Sequence, residues 1–337
     1  MAEIVLGLGT SHGPMLHTPP EQWGLRVEAD KASRALCYKG RLYDFPTLVS
    51  LRKPGFGPET QLEEKKRRLA RCHAAIAALA ARYASTGVDL AVIVGNDQRE
   101  LFLDDLTPPI TVYFGKTIEN IPASDDQKRK MPPGIAVAEP GHCPPAPTVY
   151  PGAPEFGRYL IQSFMRDEFD VAVSERLPPG SEWRNGIPHA YGFVYRQIMR
   201  DSPPPSVPIV LNVFFPPNQP TVKRCLALGK SLARAIGAWT GPERIALIGS
   251  GGLSHFVVDE ELDADYIDAM LKGDEARLAT LAENLFQSGS GEMKNWLPVA
   301  SAMNALGFKM RMIDYVPCYR SDAGTGVGMA FAEWIRP

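Results

Sequence analysis

The stretch Val92–Leu101, VIVGNDQREL, decides how the chain is read. It continues the run VDLAVIVG (88–95), whose apolar and β-branched residues have the length of a buried strand. That strand runs straight into Asn96, Asp97 and Gln98, an amide, a carboxylate and a second amide. In an open α/β sheet the carboxyl ends of strands are where ligands bind, so a polar tip at this position marks a candidate site.

Two other segments repeat the pattern. EIVLGLG (3–9) reads as a buried strand, and Pro14, Pro19 and Pro20 forbid a helix directly after it, so the strand delivers Ser11 and His12 into a loop. RIALIGSGG (244–252) does the same for the loop that carries His255. Between and beyond them, helix and strand patterns alternate. Residues 61–84 carry Ala, Leu, Glu, Lys and Arg at helical spacing, and further helices are expected near Glu155–Arg166, after Pro188, over about 221–239 and across 259–305. Strands are expected at 110–115, in DVAVSE (170–175), in VPIVLNVFF (207–215) and in FKMRMIDYV (308–316). The class is therefore α/β, a central, mostly β-sheet core flanked by helices. No repeat and no separating linker breaks the chain, so residues 1–337 are expected to form one catalytic domain. A Pro-rich excursion at about 116–151 is read as crossing the surface, as a lid would.

Composition narrows the partners. Hydrophobic residues make up 45% and charged residues 22%, as in ordinary soluble globular proteins. Lys and Arg number 36 against 38 Asp and Glu, so no basic excess is present to neutralise nucleic acid or grip an anionic membrane. No window approaches the ~18 apolar residues of a membrane span, and the N-terminus lacks a basic leader. Cys37, Cys72, Cys143, Cys225 and Cys318 are scattered without C-x-x-C spacing, which argues for reduced thiols and a cytoplasmic location. A homodimer is the expected assembly.

Chemistry is concentrated in few residues. Of the six histidines, His12, His189 and His255 sit in loops or helix starts beside Gly, Ser or Pro. Each alone is as readily structural as functional; their shared placement points to a common site. His73 lies inside the 61–84 helix and reads as a packing residue, while His17 and His142 lie in Pro-rich loops with no partner apparent by sequence. Glu292, behind Gly289 and Gly291, falls one turn before Trp296 on an expected helix, where a simple helix-terminal charge competes with a ligand role. A dinucleotide fingerprint is disfavoured, because GLGTSHG is followed by prolines rather than by a helix.

Taken together, TSHGPML, GNDQ, the segment around His189, IGSGGLSHFVVDEELD and SGSGEMKNWL resemble the class III extradiol ring-cleavage dioxygenases, the family of the protocatechuate 4,5-dioxygenase β subunit. The stretch DYVPCYRSDAGTG is similar to single-chain members that open O-methylated gallates and lignin-derived biphenyl catechols. The resemblance implies one Fe(II) held by two histidines and a glutamate, with positions left open for substrate and O2. It implies His12 and Glu292 as ligands, His255 as the catalytic base and His189 as a second active-site histidine. The family's remaining metal histidine follows an Asn-Asp pair, and here that position is Gln98. Three outcomes stay open: Gln98 coordinates through its amide oxygen, Asp97 swings in, or the metal is lost. Tyr319, Arg320 and Thr325 are candidates for meeting a substrate carboxylate. The expected function is ring opening of a catechol or gallate-type substrate with O2. A metal-poor relative that binds aromatic ligands, and a metal-dependent hydrolase, are the alternatives.

Overall fold

The computed structural model describes residues 2–177 and 185–336. Among these, nine strands form one mixed sheet: β1 (Glu3–Thr10), β2 (Leu90–Asn96), β3 (Ile110–Tyr113), β4 (Ala172–Ser174), β5 (Ser206–Leu211), β6 (Arg244–Ser250), β7 (His255–Val257), β8 (Lys309–Tyr319) and β9 (Thr325–Ile335). The centre is parallel, in the order β1, β6, β2, β5. On one flank β3 adds antiparallel to β5 and β4 parallel to β3. On the other, β9 runs antiparallel to β1, pairs along its length with β8 and at its start with β7.

The strand alternation explains why this sheet is covered on both faces. Leu90, Val92 and Val94 join the core built with helices Pro154–Arg166, Val222–Ala238 and Leu297–Ala305. Ala91 and Ile93 join the opposite core, built with helices Leu62–Thr86 and His189–Phe193. Parallel strands need such two-sided cover, which is why they read as continuous apolar runs. The long helix buries Cys72, Ala75, Ile76, Leu79, Ala80 and Tyr83, one stripe at helical spacing, and ends at Gly87, whose φ of 66° is a left-handed cap. All five cysteines are free and buried. Among the described residues, no helix is long and apolar enough to cross a membrane.

The structure departs from or adds to the sequence reading at several places. The strand expected over 207–215 stops at Leu211, because Asn212 folds the chain: its side chain accepts from Phe215 N at 3.0 Å and donates to Phe215 O and Asn218 at 2.7 Å. The region 259–305 is not continuously helical, since Ser288–Asn295 is a 3-10 segment between helices. Its glycines are required by contact: a Cβ on Gly289 would lie 2.2 Å from the His255 ring, and one on Gly291 2.0 Å from Val213 O. β9 went unforeseen, because its small residues carry little strand preference. Finally, the Pro-rich excursion carries secondary structure of its own, on which the sequence reading made no statement. Thr117–Ile121 pairs with Thr148–Pro151 and Asn185–Gly186 in a small three-stranded sheet, and Ser124 and Gln127 form a capping box on helix Asp125–Lys130.

Candidate metal centre

Three neighbouring parallel strands release their chains side by side. β1 ends on Thr10 beside Ser250 of β6, and β2 ends on Asn96 one strand further. The 3-10 segment Ser288–Asn295 packs over these ends and brings Glu292 down to them. His12, His255 and Glu292 are buried, at 3%, 5% and 2% exposure.

A short relay fixes the protonation of His12. The Ser250 hydroxyl donates to Ala190 O at 2.7 Å, so toward His12 Nδ1, 2.9 Å away, its oxygen can only accept. Nδ1 therefore carries the ring proton and Nε2 carries the lone pair. That Nε2 is buried with no hydrogen-bond partner among the described residues, yet it lies 3.3 Å from Glu292 Oε2. Burial lowers the His12 pKa, opposed by the attraction of Glu292. Burial works against the Glu292 charge, but the neighbouring His12 and His255 outweigh it and hold the carboxyl well below its usual range. A lone pair and a carboxylate oxygen facing each other in a dry site repel unless a proton or a metal ion lies between them. The donor set fits a metal ion.

Glu292 is held by donors on its other sides. Oε1 accepts from the Gln98 amide at 2.9 Å and the Asn96 amide at 3.3 Å, and Oε2 accepts from Gly252 N at 3.0 Å. The Asp97 carboxylate is engaged by its own loop. It accepts from the backbone N–H groups of Glu100, Leu101 and Phe102 at 2.9, 2.9 and 3.1 Å, which shapes the loop after β2. Burial, then the charge of Glu100, pushes its pKa up to about 6, against those three N–H groups.

The other two histidines are aimed with equal care. His255 Nδ1 donates to Leu253 O at 2.7 Å, which turns Nε2 toward Glu292 Oε2, 3.5 Å away. Ser290 pins the His255 backbone at both its N–H and its carbonyl, each at 3.0 Å. The preceding Ser254 is fixed by buried Asp263, at 2.8 Å from its N and 2.7 Å from its hydroxyl. His189 begins its helix with backbone N and Nδ1 both on the Glu100 carboxylate, at 3.0 and 2.7 Å. Its ring stands edge-on to His12, with centroids 4.7 Å apart.

These groups line a cavity of about 280 Å³. Met15, Trp23, Ile135, Phe256 and Val327 give it apolar walls, and Arg26, Arg320, Glu139 and His142 supply polar groups elsewhere on its lining. Of the residues expected to meet a carboxylate, only Arg320 lines the cavity. Its Nε and Nη2 are tied to Asp30 at 2.7 Å each. Thr325 donates to the same Asp30 at 2.6 Å, and Tyr319 bonds Glu260 and stacks on Phe56, so both support the neighbourhood from behind. His142, without a partner by sequence, stands with its ring centroid 5.9 Å from that of His189. Sequence reading missed Ser250, Glu100 and Arg26. Glu100 lies two residues beyond Gln98, but nothing local says that it meets a histidine 89 positions later.

About half of the chain aligns with each of two characterised enzymes. "Gallate dioxygenase" of Pseudomonas putida is 29% identical over 180 residues, 49% of this chain and 50% of that protein. "2,3-Dihydroxyphenylpropionate/2,3-dihydroxicinnamic acid 1,2-dioxygenase" of Comamonas testosteroni is 29% identical over 181 residues, 54% of this chain and 47% of that protein. The chain thus spans about half the length of the curated relatives it matches. The profile described as "catalytic LigB subunit of aromatic ring-opening dioxygenase" matches residues 53–315, a span that holds Gln98, His189, His255 and Glu292. With most of its length inside that match, the chain belongs to the family of catalytic LigB subunits of aromatic ring-opening dioxygenases.

Proposed function

We propose that the chain is a non-haem Fe(II)-dependent extradiol dioxygenase that opens the ring of a catechol or gallate-type substrate with O2. The observation that carries this reading is the buried, unpartnered His12 Nε2 facing the ionised Glu292 Oε2 at 3.3 Å, inside a cavity that also holds a histidine base. His12 and Glu292 would hold the iron, which supplies a meeting point for diol and O2 and a path for electron density between them. The chain's own residues do the rest. The apolar walls take the faces of one aromatic ring, a load that suits a cavity of this size. His255 Nε2 accepts a phenolic proton, and the positive charge that develops on the ring is stabilised by Leu253 O at Nδ1 and by Glu292. Arg320, neutralised by Asp30, and Arg26 favour a substrate that carries a carboxylate. O-methylated and lignin-derived gallates, which the C-terminal stretch suggests, fall within that class.

The rival reading, an aromatic-binding relative without oxygenase chemistry, draws on Gln98 in place of a histidine. Loading with iron under nitrogen and then following O2 consumption with gallate, 3-O-methylgallate and protocatechuate separates the two. Uptake in step with loss of the aromatic absorbance is expected. Stoichiometric iron with no uptake on any vicinal diol would favour the binding role, and turnover without oxygen would favour a hydrolase.

A further inference from the structure

We propose that His189 is the third metal donor of this centre, and that Gln98 is an orienting amide rather than a ligand. The inference rests on the metal-centre reading above and departs from the proton-donor role that the family resemblance gives His189.

Gln98 presents the wrong atom for coordination. Its amide nitrogen donates to Glu292 Oε1 at 2.9 Å, and turning the amide over would set two oxygens against each other. Toward Glu292 it offers hydrogens and no lone pair. With Asn96 it occupies Oε1, so that Oε2 is the oxygen directed at His12 Nε2.

His189 has the opposite character. Ligand atoms of His12, His189 and Glu292 lie within 4.8 Å of one another. Glu100 accepts from His189 Nδ1 at 2.7 Å and also anchors its backbone N–H at 3.0 Å, placing the ring proton on Nδ1 and making Nε2 the donor nitrogen. A carboxylate behind an imidazole is the arrangement that orients metal-bound histidines and raises their basicity. Adjacent donors bound at ~2.1 Å to one ion sit about 3 Å apart, so the ring closes by roughly 1–2 Å, which one side-chain torsion supplies. The loop after β2 then serves the metal through two residues that do not touch it: Gln98 on Glu292, and Glu100 on His189. Proton transfer is left to His255.

The test is Co(II) titration of the full chain, read by d–d absorption and by bound metal after gel filtration, with thermal melts to confirm folding. One ion per chain is expected, and His12→Asn should abolish it. Weakening by about a hundredfold or more is expected for both His189→Asn and His189→Gln, against tenfold or less, with an unchanged spectrum, for Gln98→Ala. Glu100→Gln should fall between them. Loss of metal in Gln98→Ala with wild-type binding in the His189 variants would overturn the assignment, as would wild-type binding in both. Failure of the wild-type chain to bind an ion, or binding untouched by His12→Asn, would instead overturn the metal-centre reading itself.

Discussion

The cavity lining is built on two different principles. At the strand-end side, His12, His255 and Glu292 are buried, and each is aimed by a backbone group or a buried side chain: Ser250 behind His12, Leu253 O behind His255, and Gly252 N with two amides around Glu292. Elsewhere on the lining, Arg26, Met131 and Ile135 are half-buried and come from the 3-10 segment Pro20–Arg26 and from the ordered excursion, whose His142 stands beside His189. Arg26 reaches Pro133 O at 3.4 Å and pairs with no carboxylate among the described residues, while burial and then the nearby Arg320 lower its pKa. In the function proposed above, reaction chemistry would sit on the strand ends and recognition on connecting segments, a division in which the second can vary without disturbing the first.

That division can be broken from either side. The largest effect is expected at the strand ends: His12→Asn or Glu292→Gln should remove bound iron and cut turnover by about a thousandfold or more, ~4 kcal/mol in barrier terms, seen by metal analysis and oxygen-electrode rates. Ser250→Ala leaves every ligand in place but releases the His12 tautomer, so metal affinity should fall about 10–100-fold with the fold intact. Arg26→Ala should leave metal binding unchanged and raise KM about tenfold, ~1.4 kcal/mol, for carboxylated catechols alone. An equal rise for catechol itself would dissolve the distinction between the two parts of the lining.

An effect of another kind, on stability rather than on turnover, concerns the footing of the His255 loop. Burial holds the Asp263 carboxyl at about 6 against an ordinary value of 3.8, despite hydrogen bonds from Tyr315 and Ser254. A raised folded-state pKa means that the native protein binds this proton more tightly than the unfolded chain does. The stability it contributes is fully present below pH ~4 and is lost as pH rises through ~6, amounting to at most about 3 kcal/mol. Urea unfolding of Asp263→Asn at pH 4.5 and 7 should show a flatter dependence on pH than the wild-type chain.

Much of the strand-end side was legible in the sequence, because strands buried on both faces announce themselves as apolar runs and their glycine-marked ends place His12, Gln98 and His255 together. The recognition side was not. Arg26 lies in a proline-bounded turn without periodicity, and the excursion around His142 pairs with Asn185–Gly186 only through space. Tyr319, Arg320 and Thr325 share a C-terminal stretch, yet strand geometry turns only Arg320 to the cavity. The role of Asp97 was equally hidden, since an aspartate that binds backbone N–H groups and one that binds a metal look alike in sequence.

The most direct measurement is mass spectrometry of the ring-opened product formed by the iron-loaded chain from a gallate-type substrate under 18O2. Incorporation of both labelled atoms into the product is expected. Product that carries label only when the water is 18O-enriched, and forms equally well without oxygen, would contradict the dioxygenase reading.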